Sequence, residues 1–143
     1  MLNVLVPVDG SEASNRAVEH VLKRIGLCKD TVEIHLLNVQ RGVPGGSAVS
    51  SHVGHDALRQ HHQAEAMNAL TPAMRKLDAS GVRYVHHIAV GEPAEVIVQF
   101  AKENHCDEIL MGTRGLGGAA SLLLGSVATK VIHLAEMPVM LVK

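Results

Sequence analysis

The feature that most restricts the fold is a series of five short apolar segments, each parted from the next by a longer stretch of helical character. They are Leu2–Val8, Val32–Val39, Tyr84–Val90, Asp107–Met111 and Pro138–Val142. The first, Leu2-Asn3-Val4-Leu5-Val6-Pro7-Val8, lacks polar–apolar alternation, as expected of a strand covered on both faces. Strands that alternate with helices predict an α/β fold, a five-stranded parallel sheet with helices on both faces and right-handed crossovers. Ligands of such sheets bind in the crevice outside the carboxyl ends of the strands. The loops after the first, second and fourth strands therefore converge, bringing Asp9, Val39 and a glycine-rich run together.

The helical segments carry their own signals. Ser11 reads as an N-cap, followed by Ala13, Ala17, Val18, Val21, Leu22 and Ile25 at helical spacing, with Gly26 as the stop. Residues 40 to about 54 read as a loop, rich in glycine and serine. A long helix is expected from about Asp56 to Ser80, with Ala57, Ala64, Met67, Leu70, Met74 and Leu77 on its buried side. Pro72 should kink or split it, and Gly81 should end it. Gly91-Glu92-Pro93 opens a further helix with Pro93 in the first turn. A last helix is expected over Ala119–Ala135.

At 143 residues the chain has the length of one domain, residues 1–143. Such a domain buries roughly 68–70% of its unfolded surface and folds without staples. Aromatic residues are 1% of the chain, so no platform exists for stacking single-stranded bases. A net charge of −1 gives no footprint for nucleic acid or a membrane surface. No apolar run reaches the roughly 18 residues of a membrane span, and the N-terminus lacks the basic region and cleavage site of a signal peptide. Cys28 and Cys106 are far apart in sequence and read as small buried hydrophobes in a reduced, cytoplasmic setting. Ten histidines include the neighbours His52 and His55, His61 and His62, and His86 and His87. Adjacent side chains on a helix or strand point apart, and no Cys or carboxylate set completes a zinc pattern. Metal ligation is not expected.

The stretch richest in chemistry runs from Met111 through Gly112, Arg114, Gly115, Gly117 and Gly118 to Gly125-Ser126-Val127. It follows a strand and leads to a helix. Glycine lets the backbone approach an anion, and the free N–H groups and dipole of a helix start favour negative charge there. A P-loop is ruled out, since no Lys follows Gly125. The dinucleotide fingerprint fits Gly115, Gly117 and Ala120 only loosely, and its acidic partner, Glu136, precedes the next strand instead of ending it.

A third pattern fits in full: Gly112, two residues, Gly115, nine residues, Gly125-Ser126. This resembles the ATP-binding signature of the universal stress protein family. Leu5-Val6-Pro7-Val8-Asp9-Gly10-Ser11, Gly91-Glu92-Pro93, Leu123–Ala128 and Pro138–Val142 resemble other parts of that family, so the likeness spans nearly the whole chain. It implies an adenine nucleotide alpha hydrolase-like, doubly wound three-layer sandwich. It also implies ATP as ligand, with AMP and ADP as alternatives. Asp9, with Pro7 and Val8, would meet the nucleoside, and the main chain of Val39 would read the adenine edge. Met111, Gly112, Arg114 and Gly115 would border ribose and phosphates, and Gly125, Ser126 and Val127 would donate to the phosphates. The loop between Gly115 and Gly125 departs from the family by carrying no basic residue. Two consequences stay open, weaker phosphate affinity or a need for Mg2+ to offset the charge. The resemblance also implies a stress-response regulator that is a homodimer through Val139–Val142, an apolar strand at a sheet edge that must be paired or covered. Two other functions compete: an interaction module that holds no nucleotide, and a slow ATPase. Asp9 and Ser126 also have plain structural roles open to them, as helix caps.

Overall fold

Strand β1 (Leu2–Pro7) is the centre of the molecule, because the residues that follow its alternation are buried on both sides. Val4 and Val6 face one way and Leu5 the other. The computed structural model describes residues 1–42, 52–115 and 124–143. Chain order continues with α1 (Glu12–Leu27), β2 (Val32–Gln40), α2 (His52–Ala79), β3 (Tyr84–Val90), α3 (Pro93–Glu103), β4 (Glu108–Gly112), α4 (Ser126–Leu134) and β5 (Val139–Val142). The strands form one parallel sheet in the order β3-β2-β1-β4-β5. This is the doubly wound arrangement expected from the sequence, and its direction reverses between β1 and β4.

Period-two side chains divide the core into two layers. Val4, Val6, Val8, Ile34, Leu36 and Leu110 pack beneath α1 and α2, against Ala17, Val18, Val21, Leu70, Ala73 and Leu77. Leu5, Leu37, Ile109 and Met111 pack beneath α3 and α4, against Ala94, Ile97, Ala101, Ala128 and Val131. Tyr84, at the amino end of β3, donates its hydroxyl to Asp78. Burial first, and that bond second, push its phenol pKa up.

Several local expectations give way to the structure. Gly26 lies inside α1, which ends one residue later with Cys28 as its C-cap. Without left-handed backbone there, the glycine is no stop. Cys106 is buried and its thiol pKa is raised by burial, but Cys28 at that cap is exposed. Helix α2 is one run through Pro72, not split. Pro72 is on the exposed side, where a carbonyl deprived of its donor can face water. Ala57 and Ala64 are exposed, and the buried face of α2 begins at Ala66. The last helix starts at Ser126 rather than Ala119, while Ala119 lies outside the described residues. Gly81, with φ +68°, follows α2 as expected.

One polar cluster went unread in the sequence. His35 on β2 and His87 on β3 lie diagonally on one face of the sheet. His35 Nδ1 is 3.2 Å from His87 Nε2, and its Nε2 is 3.3 Å from the Glu33 carboxylate. The ring of Phe100 covers both. The Glu33 carboxylate only accepts, so it favours a protonated His35, and one ring N–H is shared between the two histidines. The pKa of His87 is lowered, by burial first and then by the charges of His35 and His86.

A histidine with a depressed folded pKa takes up protons less readily folded than unfolded. Its contribution to stability is present above the ordinary histidine pKa of about 6.5 and is lost as pH falls below it. The urea-unfolding free energy should therefore drop between about pH 7.5 and about pH 5.5. His87→Asn should flatten that slope; an unchanged slope would show that His87 titrates as in the unfolded chain.

Candidate functional site at the carboxyl end of the sheet

The sharp turn after β1 comes from three local devices. Asp9 Oδ1 accepts from the Ser11 N–H at 2.9 Å. Gly10 takes φ +85°, which an L side chain resists. Ser11 is the N-cap of α1, its hydroxyl accepting from the Ser14 N–H. Asp9 therefore braces the turn while Ser11 does the capping.

Opposite this turn, β4 ends in Gly112. A Cβ there would lie 2.7 Å from the Ala13 carbonyl carbon, so only glycine lets β4 approach the first turn of α1 this closely. A Cβ on Gly115 would lie 2.5 Å from Asp9 Oδ2. One on Gly125 would lie 3.3 Å from Arg114 Cα. The spaced glycines thus form a tight cradle. The Thr113 N–H donates to Val142, and its carbonyl accepts the Gly125 N–H at 2.6 Å. This closes the loop between β4 and α4.

These pieces bound a cavity of about 430 Å³, within the roughly 300–1,000 Å³ of small-molecule sites. All the residues expected at a site line it: Pro7, Val8 and Asp9 from β1 and its turn, Val39 from β2, Met111 and Gly112 from β4, Arg114 and Gly115 just after it, and Gly125, Ser126 and Val127 at α4. Helix α4 has Gly125 as N-cap and no side-chain cap. The N–H groups of Ser126 and Val127 thus lack an acceptor within the helix. One expectation is corrected. The Gly125 N–H is already bonded to Thr113 and is no phosphate donor; Gly125 contributes by letting the loop close. Gly117, Gly118, Ala120 and Ser121 lie outside the described residues.

Sequence reasoning missed the apolar wall formed by Leu37, Pro93, Ile97 and Ala128, and it missed Arg41. Arg41 follows β2 at its carboxyl end and pairs with Glu92 at 3.2 Å. The rule that led to Asp9 and Val39 would have found it. Among the described residues no group of three or more His, Cys, Asp or Glu could hold a metal ion. Among the described residues no helix is long and apolar enough to cross a membrane.

A sheet of this order with a glycine-lined cavity over its β1/β4 switch defines a doubly wound α/β protein with an open crevice at the carboxyl ends of its strands. The model of the Universal stress protein family matches residues 1–143, and the chain belongs to that family. It is 32% identical over 148 residues to universal stress protein YxiE of Bacillus subtilis, covering 98% of this chain and 97% of the relative. The solved structure of MJ0577, a universal stress protein of Methanocaldococcus jannaschii, superposes with a TM-score of 0.83 at 30% identity, covering 99% of this chain and 95% of that one. An Arabidopsis thaliana family protein solved with AMP bound superposes at 0.72 with 27% identity, covering 100% and 92%. An Archaeoglobus fulgidus universal stress protein in complex with dAMP superposes at 0.67 with 25% identity, covering 100% and 98%.

Gly112→Ala should cost about 1–3 kcal/mol through overpacking against Ala13. Gly26→Ala, in helix with nothing within 4 Å of the new Cβ, should instead stabilise by about 0.4–1 kcal/mol. Urea unfolding of the two variants checks both, and equal signs would refute the packing account of Gly112.

Proposed function

We propose that this protein is an adenine-nucleotide-binding regulator of the stress response, holding ATP in the cavity at the carboxyl end of the sheet. One observation carries the reading. The cavity is lined from Val39 at the carboxyl end of β2 to the start of α4, whose Gly125 N-cap has no side chain, across the end of β1. Two strand spacings, roughly 10 Å, separate those ends, a span suited to a nucleoside with its base at one end and phosphates at the other. Val39 and the wall of Ile97 and Pro93 suit an adenine face, and Asp9 in the middle suits ribose hydroxyls. The Ser126 and Val127 amides, the Ser126 hydroxyl and Arg114 suit phosphate. Family members carrying AMP and dAMP support the ligand class.

Among the described residues Asp9 is the one carboxylate lining the cavity, and it already braces the turn. A second group to position water is therefore lacking among them, and binding is favoured over turnover. Mg2+ would ride on the triphosphate and its own waters. Strand β5 is a sheet edge with all four residues half-buried. A second copy pairing there would cover the apolar edge, giving a homodimer. Free cysteines suit a cytoplasmic setting.

Titration with ATP and Mg2+ should show saturable binding. Arg114→Ala should weaken ATP by about ten- to a hundredfold, the worth of roughly 1.5–3 kcal/mol for a charge-assisted contact, and leave adenosine unchanged. No binding at millimolar ATP would leave an interaction module, and steady phosphate release would establish an ATPase. Light scattering should give a dimer that Leu141→Lys converts to monomer; a monomeric parent would refute the edge pairing.

A further inference from the structure

Asn38 is 2% exposed and lies on the face of β2 turned away from the cavity, beside the aliphatic core under α2. A buried amide there is costly unless fully bonded. Its Nδ2–H donates to the Val8 carbonyl at 2.8 Å, and its Oδ1 accepts from Gln40 Nε2 at 2.7 Å. A carbonyl only accepts, so the Asn38 nitrogen must face Val8 and Gln40 must donate to the oxygen. We infer that Asn38 is a positioning residue for Asp9, with Gln40 setting its amide orientation. This rests on the nucleotide reading above and names a residue of that site which touches no ligand.

The path is short and covalent. Val8 lies just past the end of β1, and its own N–H donates to the Leu37 carbonyl at 2.8 Å. The Asn38 bond holds the other end of the residue. The Val8 C=O and the Asp9 N–H share one rigid plane, so fixing that carbonyl fixes the direction in which Asp9 leaves the strand. From there the Asp9 carboxylate reaches the Ser11 N–H and the Gly115 backbone. Without the Asn38 donor, the Val8 peptide can rotate and carry Asp9 with it. Strand alternation explains why the pair can work unseen: Leu37 and Val39 face the cavity, while Asn38 and Gln40 sit on the reverse.

The test is a double-mutant cycle on ATP and adenosine affinity in folded full-length protein, checked by thermal melting. Asn38→Asp keeps the shape and loses the donor. Gln40→Leu is the milder variant should Asn38→Asp fail to fold. Asp9→Ala completes the cycle. Each of the first two should weaken ATP and adenosine alike, by roughly tenfold for Asn38→Asp and less for Gln40→Leu. Neither should add to the loss in Asp9→Ala. Losses that multiply in the Asp9→Ala background overturn the inference and leave the nucleotide reading intact. An Asp9→Ala variant that binds like its parent removes Asp9 from the site and overturns the inference alone, whereas a parent that binds no ATP overturns the nucleotide reading. Amide exchange needs no ligand: the Ser11 N–H, held by Asp9, should exchange faster in Asn38→Asp and Gln40→Leu. An unchanged Ser11 rate overturns the inference even if the parent binds no nucleotide.

Discussion

Everything at the functional end of this protein hangs on where β1 stops. The strand is flanked by β2 and β4 and covered by helices on both faces, so it has almost no freedom to shift. Val8 is then gripped from β2 on both sides, at its N–H and at its carbonyl. From that fixed point the Asp9-Gly10-Ser11 turn reverses the chain into α1, and α1 receives Gly112 against Ala13. The order of causes runs outward from the buried strand to the turn, then to the neighbouring loop and the cavity.

The glycine pattern serves the fold before it serves any ligand. At Gly112, Gly115 and Gly125 a single methyl group would collide with, or press on, a neighbouring backbone or the Asp9 carboxylate. Packing at protein density leaves no slack for it. Gly125 is also the N-cap of α4 and, having no side chain, leaves the first amides of that helix without a cap of its own.

Much of this was legible in the residues. Short apolar runs such as Leu2–Val8 revealed the strands, since burial on both faces erases alternation. The rule for strand carboxyl ends then located Asp9 and Val39. What escaped depended on contacts between distant segments. The Gly125 amide looked available because nothing local shows that Thr113 consumes it. The stacked pair of His35 and His87 is invisible in sequence, as it needs the register of β2 on β3. Pro72 looked like a break because propensity speaks only for the isolated helix, and tertiary packing of Leu70, Ala73 and Leu77 outweighs it.

The near absence of aromatic side chains has an optical consequence. With no Trp and one Tyr, at the amino end of β3 and so at the opposite end of the sheet from the cavity, the polypeptide is almost transparent in the near ultraviolet. A purine held in the cavity would dominate the absorption spectrum of the whole particle. The protein is its own blank for anything coloured in that range that it carries.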